Sequence, residues 1–264
     1  MSRIEERFRM LRERGERALV VFLSAGDPDL ETSEALILAM AESGADVIEV
    51  GVPFSDPIAD GPTIQRSSER GLASGATLRR ILELAQGLRP KLEVPLLLFG
   101  YANPFYAMGE DGFARDAASV GVDGVIVPDL PPEEGESFFA RLQGEGIDTV
   151  LLAAPTTTRE RMQFIAERTR GFLYYVSLTG VTSARAGLTG GIQEGVALAK
   201  EFTQLPVCVG FGISKPEHGR AVGEFADGVV VGSAIVDLIE AAGSRDEAVD
   251  SVAGYVSEMK DALR

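Results

Sequence analysis

The sequence predicts a single (β/α)₈ barrel of the TIM type over residues 1–264, with an extra helix at its N-terminus. Three observations carry this reading. Eight hydrophobic runs are each followed by a helix-periodic stretch. The runs are apolar almost throughout, as in strands covered on both faces by helices. The length of 264 residues suits one such barrel, and no linker, composition shift or low-complexity segment marks a boundary. Alternating β and α also builds doubly wound sheets, but eight units without a second domain favour closure.

The elements follow in order. Residues 2–14 read as a helix with Ile4, Phe8 and Leu11 on one face. ALVVFLSAG (18–26) is the first strand, ended by the Gly26-Asp27-Pro28 turn, and a helix over 29–43 stops at Gly44. Strand two is 46–51, followed by a proline-rich loop and helices over 63–74 and 77–88. Strand three, VPLLLFG (94–100), leads into YANPFYAMG as a loop and a helix over 110–120. VDGVIV (122–127) precedes a helix at 133–143, and DTVLLAA (148–154) precedes one at 159–168. GFLYYVS (171–177) opens a long loop over 178–191, with a helix from 192 to 203. LPVCVGFG (205–212) and ADGVVVG (226–232) are the last two strands, with helices after each and a closing helix over 245–263.

Composition narrows the chemistry. A net charge of −15 disfavours non-specific nucleic-acid binding. No apolar run is long enough for a transmembrane helix, and the N-terminal stretch lacks a signal-peptide core. The single Cys208, in the apolar run PVCVGFG, allows no internal disulfide and reads as a core residue, which fits a cytoplasmic setting. With His218 the only histidine, a His-rich metal site is excluded, and no metal is expected. Of the four lysines, Lys91, Lys200 and Lys260 fall in helical or polar flanks, and only Lys215 lies near a strand end. A Schiff-base mechanism is thus disfavoured, and carboxylates are left as the acid–base groups.

Such groups concentrate in Asp46–Gln65, DVIEVGVPFSDPIADGPTIQ. Glu49 lies inside an apolar strand, where a charge is costly to bury unless it is paired or used. Asp60 follows on the loop, where it is either a second functional carboxylate or a turn and helix-cap residue. Asp56 reads as a loop or partner-contact residue and Asp129 as structural. Barrel sites form where strands end and βα loops begin. At that end, two glycine signals follow the last two strands: Gly210-Phe211-Gly212-Ile213-Ser214 and Gly232-Ser233-Ala234-Ile235. Backbone N–H groups there can cradle a phosphate, and Ser233 can add its hydroxyl. Gly180-Val181-Thr182-Ser183 could close the cradle from a mobile lid after strand six.

PFSDPIADGPTIQ, YANP, VPDLPPEE, VSLTGVT, GFGIS and GSAIV occur in this order. With them the chain resembles the tryptophan synthase alpha subunit family across essentially its full length. The resemblance implies a metal-free lyase of tryptophan biosynthesis that cleaves indole-3-glycerol phosphate to indole and glyceraldehyde 3-phosphate. It implies no cofactor in this chain, and a pyridoxal-phosphate beta subunit as partner in an alpha2-beta2 tetramer. By motif, Glu49 and Asp60 match the catalytic carboxylates. Phe22, Ile64, Tyr174 and Thr182 match substrate-binding positions, and Gly180, Ser183, Gly212, Gly232 and Ser233 match phosphate-side ones. Loops 53–61 and 101–109 resemble those facing the beta subunit. Two departures bear on the lid: Ser183 stands where the family has glycine, and Leu178 where some relatives carry arginine.

The implied reaction is a retro-aldol cleavage. Glu49, raised by burial, would shuttle protons to indole C3 and from the C3′ hydroxyl, while an ionised Asp60 would hold the indole N–H. Two other readings stand beside it: a phosphate-binding barrel acting on a ribosyl phosphate, and a binding subunit that mainly gates its partner. Tyr174 and Tyr175 are adjacent in one strand, so only one can face the barrel interior.

Overall fold

The computed structural model describes residues 1–176, 186–210 and 212–264. In chain order it runs α1 (Arg3–Arg14), β1 (Ala18–Ser24), α2 (Leu30–Glu42), β2 (Val47–Gly51), α3 (Pro62–Ala73), α4 (Leu78–Leu88), β3 (Leu96–Phe99), α5 (Ala102–Met108), α6 (Glu110–Ser119), β4 (Gly124–Ile126), α7 (Glu136–Gly144), β5 (Asp148–Thr149) and β6 (Leu152–Ala153). It continues through α8 (Arg159–Arg168), β7 (Leu173–Val176), α9 (Ala186–Phe202), β8 (Val207–Gly210), α10 (Pro216–Gly223), β9 (Gly228–Val231), α11 (Ser233–Ala241) and α12 (Arg245–Asp261).

The strands are parallel, in the order β5-β4-β3-β2-β1-β9-β8-β7-β6. The ends of that sheet, β5 and β6, are two halves of one strand. Its first half pairs with β4 (Gly124 with Asp148) and its second with β7 (Leu152 with Tyr174). Between them Val150 donates to the Val125 carbonyl at 3.1 Å, and the Leu151 carbonyl accepts from Tyr174 at 3.1 Å. Chain continuity through residues 150–151 therefore closes the ring, and the predicted eight-stranded barrel results, with DTVLLAA pinched into two short ladders rather than one strand.

Register separates two cores. Side chains alternating inward, among them Ala18, Val20, Val47, Leu97, Ile126, Val150, Tyr174, Cys208 and Val230, form the barrel interior. Residues of the opposite parity pack outward against the helices, Tyr175 among them. A Cβ on Gly195 of α9 would overlap the Tyr175 ring, so the glycine makes room for it. The expectation that only one of the two tyrosines points inward holds, and it is Tyr174.

Helix α1 plugs the N-terminal end of the barrel. Ser2 and Glu5 form a capping box at its start, and Gly15, with φ 73°, ends it. Ile4, Phe8 and Leu11 line one face and join the interior, with the Phe8 ring 5.7 Å from Phe172. Around the plug three aspartates recur, each directly before a strand. Asp46 accepts the Leu19 N–H at 2.8 Å, Asp123 that of Leu96 at 2.8 Å and Asp227 that of Val207 at 2.9 Å. Each has a cation: Lys260 at 3.0 Å, Arg89 at 3.1 Å and Lys200 at 3.0 Å respectively. Arg3 also pairs with Asp123, and the Ser2 hydroxyl donates to Asp148. The base is thus stitched strand to strand by charge-assisted hydrogen bonds.

Two further expectations are corrected. Residues 102–108, read as loop, form α5; Pro104 sits in its first turn, where a missing N–H costs nothing. Helix α9 starts at Ala186, so the last six residues of the predicted 178–191 loop are helical.

Candidate active site

At the opposite end, β2 carries Glu49 inward. It is flanked in register by Phe22 on β1 and Leu97 on β3. Glu49 is fully buried, and neither carboxyl oxygen has a hydrogen-bond partner among the described residues. Burial alone pushes its pKa to about 8, with no neighbour opposing. The reading of Glu49 as half of a structural ion pair is therefore not supported. At neutral pH it is a carboxylic acid that can donate its proton and take it back.

Aromatic rings wall this acid, and glycines make room for them. Phe22 is half-buried and packs edge-on to Phe99, centroids 5.7 Å apart. A Cβ on Gly51 would stand 2.6 Å from the Phe22 ring, and one on Gly210 would stand 2.5 Å from the Tyr174 hydroxyl. Gly210, read from sequence as part of a phosphate signal, also provides space for Tyr174. Burial, and then the charges of Glu49, Cys208 and Asp60, push the Tyr174 phenol well above its ordinary value. The tyrosine thus adjoins both carboxyl groups and stays protonated.

Asp60 stands on a turn closed by its own N–H to the Pro57 carbonyl at 3.1 Å, directly before α3. Gln65 donates to its carbonyl at 2.9 Å. Pro62 at the first helical position fixes where α3 begins, and the helix N-terminus favours negative charge at Asp60. The Tyr101 hydroxyl donates to the carboxylate at 3.0 Å. Burial raises the Asp60 pKa and this hydrogen bond opposes the rise. The expected divergence of the two carboxyls thus has a physical basis: one has an opposing donor and the other has none. Tyr101 was not singled out from sequence, because its partner lies 41 residues away and no local pattern announces it.

Ile64 is half-buried in the first turn of α3, where its carbonyl accepts the Ser67 hydroxyl at 2.8 Å. Ser67 and Ser24 share a 2.6 Å hydrogen bond that docks this helix on β1. Gly212 adopts a left-handed φ of 76°, which favours glycine. Gly232 caps α11, and an added Cβ there would meet Phe22 at 3.4 Å, so the helix start adjoins the aromatic wall. Exposed Ser233 is the first residue of α11, whose leading N–H groups have no intrahelical acceptor. Thr182, Gly180 and Ser183 lie outside the described residues, as does Leu178.

Asp129 has the structural role expected of it, accepting the Ala102 N–H at 2.9 Å to cap α5. Asp56 is exposed and takes the neighbouring Ser55 hydroxyl at 2.5 Å. Lys215 is exposed at the cap of α10, His218 lies within that helix, and no cluster of three or more His, Cys, Asp or Glu suited to a metal occurs among the described residues. The barrel mouth therefore presents a neutral acid, a hydrogen-bonded carboxylate, aromatic walls and a helix start. It can transfer protons on a planar aromatic substrate that carries an anionic tail.

A family model described as "Tryptophan synthase alpha chain" matches residues 8–264. A relative of that name from Geobacter sulfurreducens is 50% identical over 263 residues, covering 100% of this chain and 99% of the relative. One from Burkholderia thailandensis is 49% identical over 251 residues, 95% of this chain and 93% of the relative. Among solved structures, tryptophan synthase subunit alpha from Legionella pneumophila matches with a TM-score of 0.92 at 38% identity, covering 100% of this chain and 98% of that one. An aminoacrylate-bound form of tryptophan synthase from M. tuberculosis matches with a TM-score of 0.90 at 34% identity, with 100% of both chains covered.

Proposed function

The chain belongs to the tryptophan synthase alpha chain family, and from that premise we propose how the residues of its barrel mouth carry the reaction of that subunit. An alpha chain is the lyase that cleaves indole-3-glycerol phosphate in tryptophan biosynthesis, with a beta subunit as partner. The alpha reaction needs no cofactor, and pyridoxal phosphate belongs to the beta subunit.

Glu49 is the proton shuttle. Its carboxylic acid protonates C3 of the indole ring, which leaves positive charge on N1. The resulting carboxylate takes the proton of the C3′ hydroxyl as the C3–C3′ bond breaks. That bond's electron pair neutralises the indolenine, and the hydroxyl carbon leaves as the aldehyde of glyceraldehyde 3-phosphate. Asp60, ionised, accepts the indole N–H and stabilises the charge that develops there. Phe22, Ile64 and Tyr174 line the indole pocket, to which the family motif adds Thr182. Gly212, Gly232 and Ser233, with Gly180 and Ser183, hold the phosphate through backbone N–H groups and the Ser233 hydroxyl.

The observation that carries this reading is the fully buried Glu49, without a hydrogen-bond partner among the described residues and with its pKa pushed up to about 8. Its test is Glu49→Gln. Indole formation falls by a factor of roughly 10³ or more while a phosphate-bearing indole analogue still binds, measured by single-turnover kinetics and titration. Full activity in that variant overturns the assignment.

The partner-facing surface is the pair of segments 53–61 and 101–109, in an alpha2-beta2 assembly. Ile58 is 84% exposed on the first and Tyr106 is 39% exposed on the second, apolar groups suited to an interface. The chain acts as one domain. No helix among the described residues is long and apolar enough to cross a membrane. A cytoplasmic setting agrees with its biosynthetic role and with the free, buried thiol of Cys208.

A further inference from the structure

We propose that Tyr101 is a positioning residue for the reaction, its hydroxyl holding the Asp60 carboxylate in the orientation that the indole N–H requires. The inference rests on the assignment of Asp60 to that nitrogen.

The turn that carries Asp60 is exposed on its outer side at Ser55, Asp56, Ile58 and Ala59. The bonds from Gln65 and to Pro57 hold the Asp60 backbone, but neither touches the carboxylate. Among the described residues the one hydrogen bond to that carboxylate comes from Tyr101, at 3.0 Å. The same hydroxyl oxygen accepts the Ala59 N–H at 2.9 Å. One oxygen thus grips two adjacent residues, and the Ala59 donor leaves its own proton free to point at Asp60.

Tyr101 is itself rigidly placed. It is 4% exposed, stands two residues beyond the end of β3 at the start of α5, and packs on Phe54 with centroids 5.5 Å apart at 30°. The next residue, Ala102, is pinned by Asp129. Three βα segments, those after β2, β3 and β4, are therefore linked through this point.

The charged groups around it favour a donor role. Asp60 and Asp129 face the phenol, and burial together with both charges holds its pKa well above the ordinary value, so it remains a donor. Glu49 and Asp60 face Tyr174 in turn. No ion pair to Asp60 occurs among the described residues, so the Tyr101 hydrogen bond is what opposes the upward push of burial on that carboxyl.

The test is Tyr101→Phe in the complex with the beta subunit, alone and combined with Asp60→Asn, following kcat and KM for indole formation across pH. The ring and its packing are kept and only the hydroxyl is lost. The expected result is a fall in kcat of about 10-fold or more with KM changed by less than about threefold. The acid limb of the kcat profile moves to higher pH, and the Phe substitution adds nothing in the Asp60→Asn background. Wild-type kcat and an unmoved acid limb in Tyr101→Phe, with Asp60→Asn crippled, overturn this proposal alone. An unmoved acid limb with only a lowered melting temperature also overturns it, since that is a structural role. Full activity in Asp60→Asn instead overturns the assignment beneath it.

Discussion

Asp46 and Glu49 stand three residues apart, the first directly before β2 at the base of the barrel and the second at the centre of that strand. Both are buried, at 4% and 0% exposure. Asp46 receives the Leu19 amide at 2.8 Å and the Lys260 ammonium at 3.0 Å, with Arg7 at 3.9 Å. Lys260 is satisfied in turn by Glu16 at 3.1 Å and the Arg17 carbonyl at 3.2 Å. Burial raises the Asp46 pKa, and Lys260, Leu19 and Arg7 all pull it back. Glu49 has none of this. One carboxylate is buried and answered, the other buried and left without a partner among the described residues. The same cost of desolvation serves architecture at the base and proton transfer at the mouth.

The sharpest way to break that contrast is at the base. Asp46→Leu strips Lys260 of its buried partner and should cost about 3–5 kcal/mol by denaturant unfolding, with the activity of the folded fraction unchanged. A loss below about 1 kcal/mol would erase the distinction. Glu49→Leu should do the reverse, abolishing indole formation while stabilising the fold by about 3 kcal/mol at pH 7. The sign follows from the pKa. Glu49 titrates at about 8 when folded and at its ordinary value of 4.5 when unfolded, so the folded state holds more protons between them. Wild-type stability is therefore drained as pH rises through that window. The gain in Glu49→Leu should vanish below about pH 4.5 and be greatest above about 8, in paired melts across pH. The smallest effect belongs to Asp227→Ala. That residue and its partner Lys200 are each about one-third exposed, so screening leaves about 1 kcal/mol, mostly from the Val207 amide.

The contrast also marks what could be read from the sequence. Strand and helix order was legible because apolar runs and helical periodicity are local signals. Glu49 was legible because an acid inside VIEVG breaks such a run. The pinch in DTVLLAA was not, since it arises where one strand changes neighbours from β4 to β7. Helix α5 was hidden behind Asn103 and Pro104, which suit a loop as readily as a helix's first turn. The early start of α9 was hidden by Gly190 and Gly191, poor helix formers whose conformation packing decides. The room that Gly210 leaves for Tyr174 was not legible, because the ring it accommodates comes from a different strand. The roles of Tyr101 and Lys260 escaped, because each acts on a carboxylate far away in the chain.

The distance between Asp46 and Lys260 has a consequence for how the molecule is made. They are separated by 214 residues, nearly the whole chain. At translation rates of about 5–20 residues per second, the aspartate is synthesised roughly 10–40 s before its ammonium partner. In that interval a nascent barrel that buried Asp46 would hold a charge with its main counterion missing. Sealing the base before the final helix arrives therefore carries the cost of a buried charge without that partner.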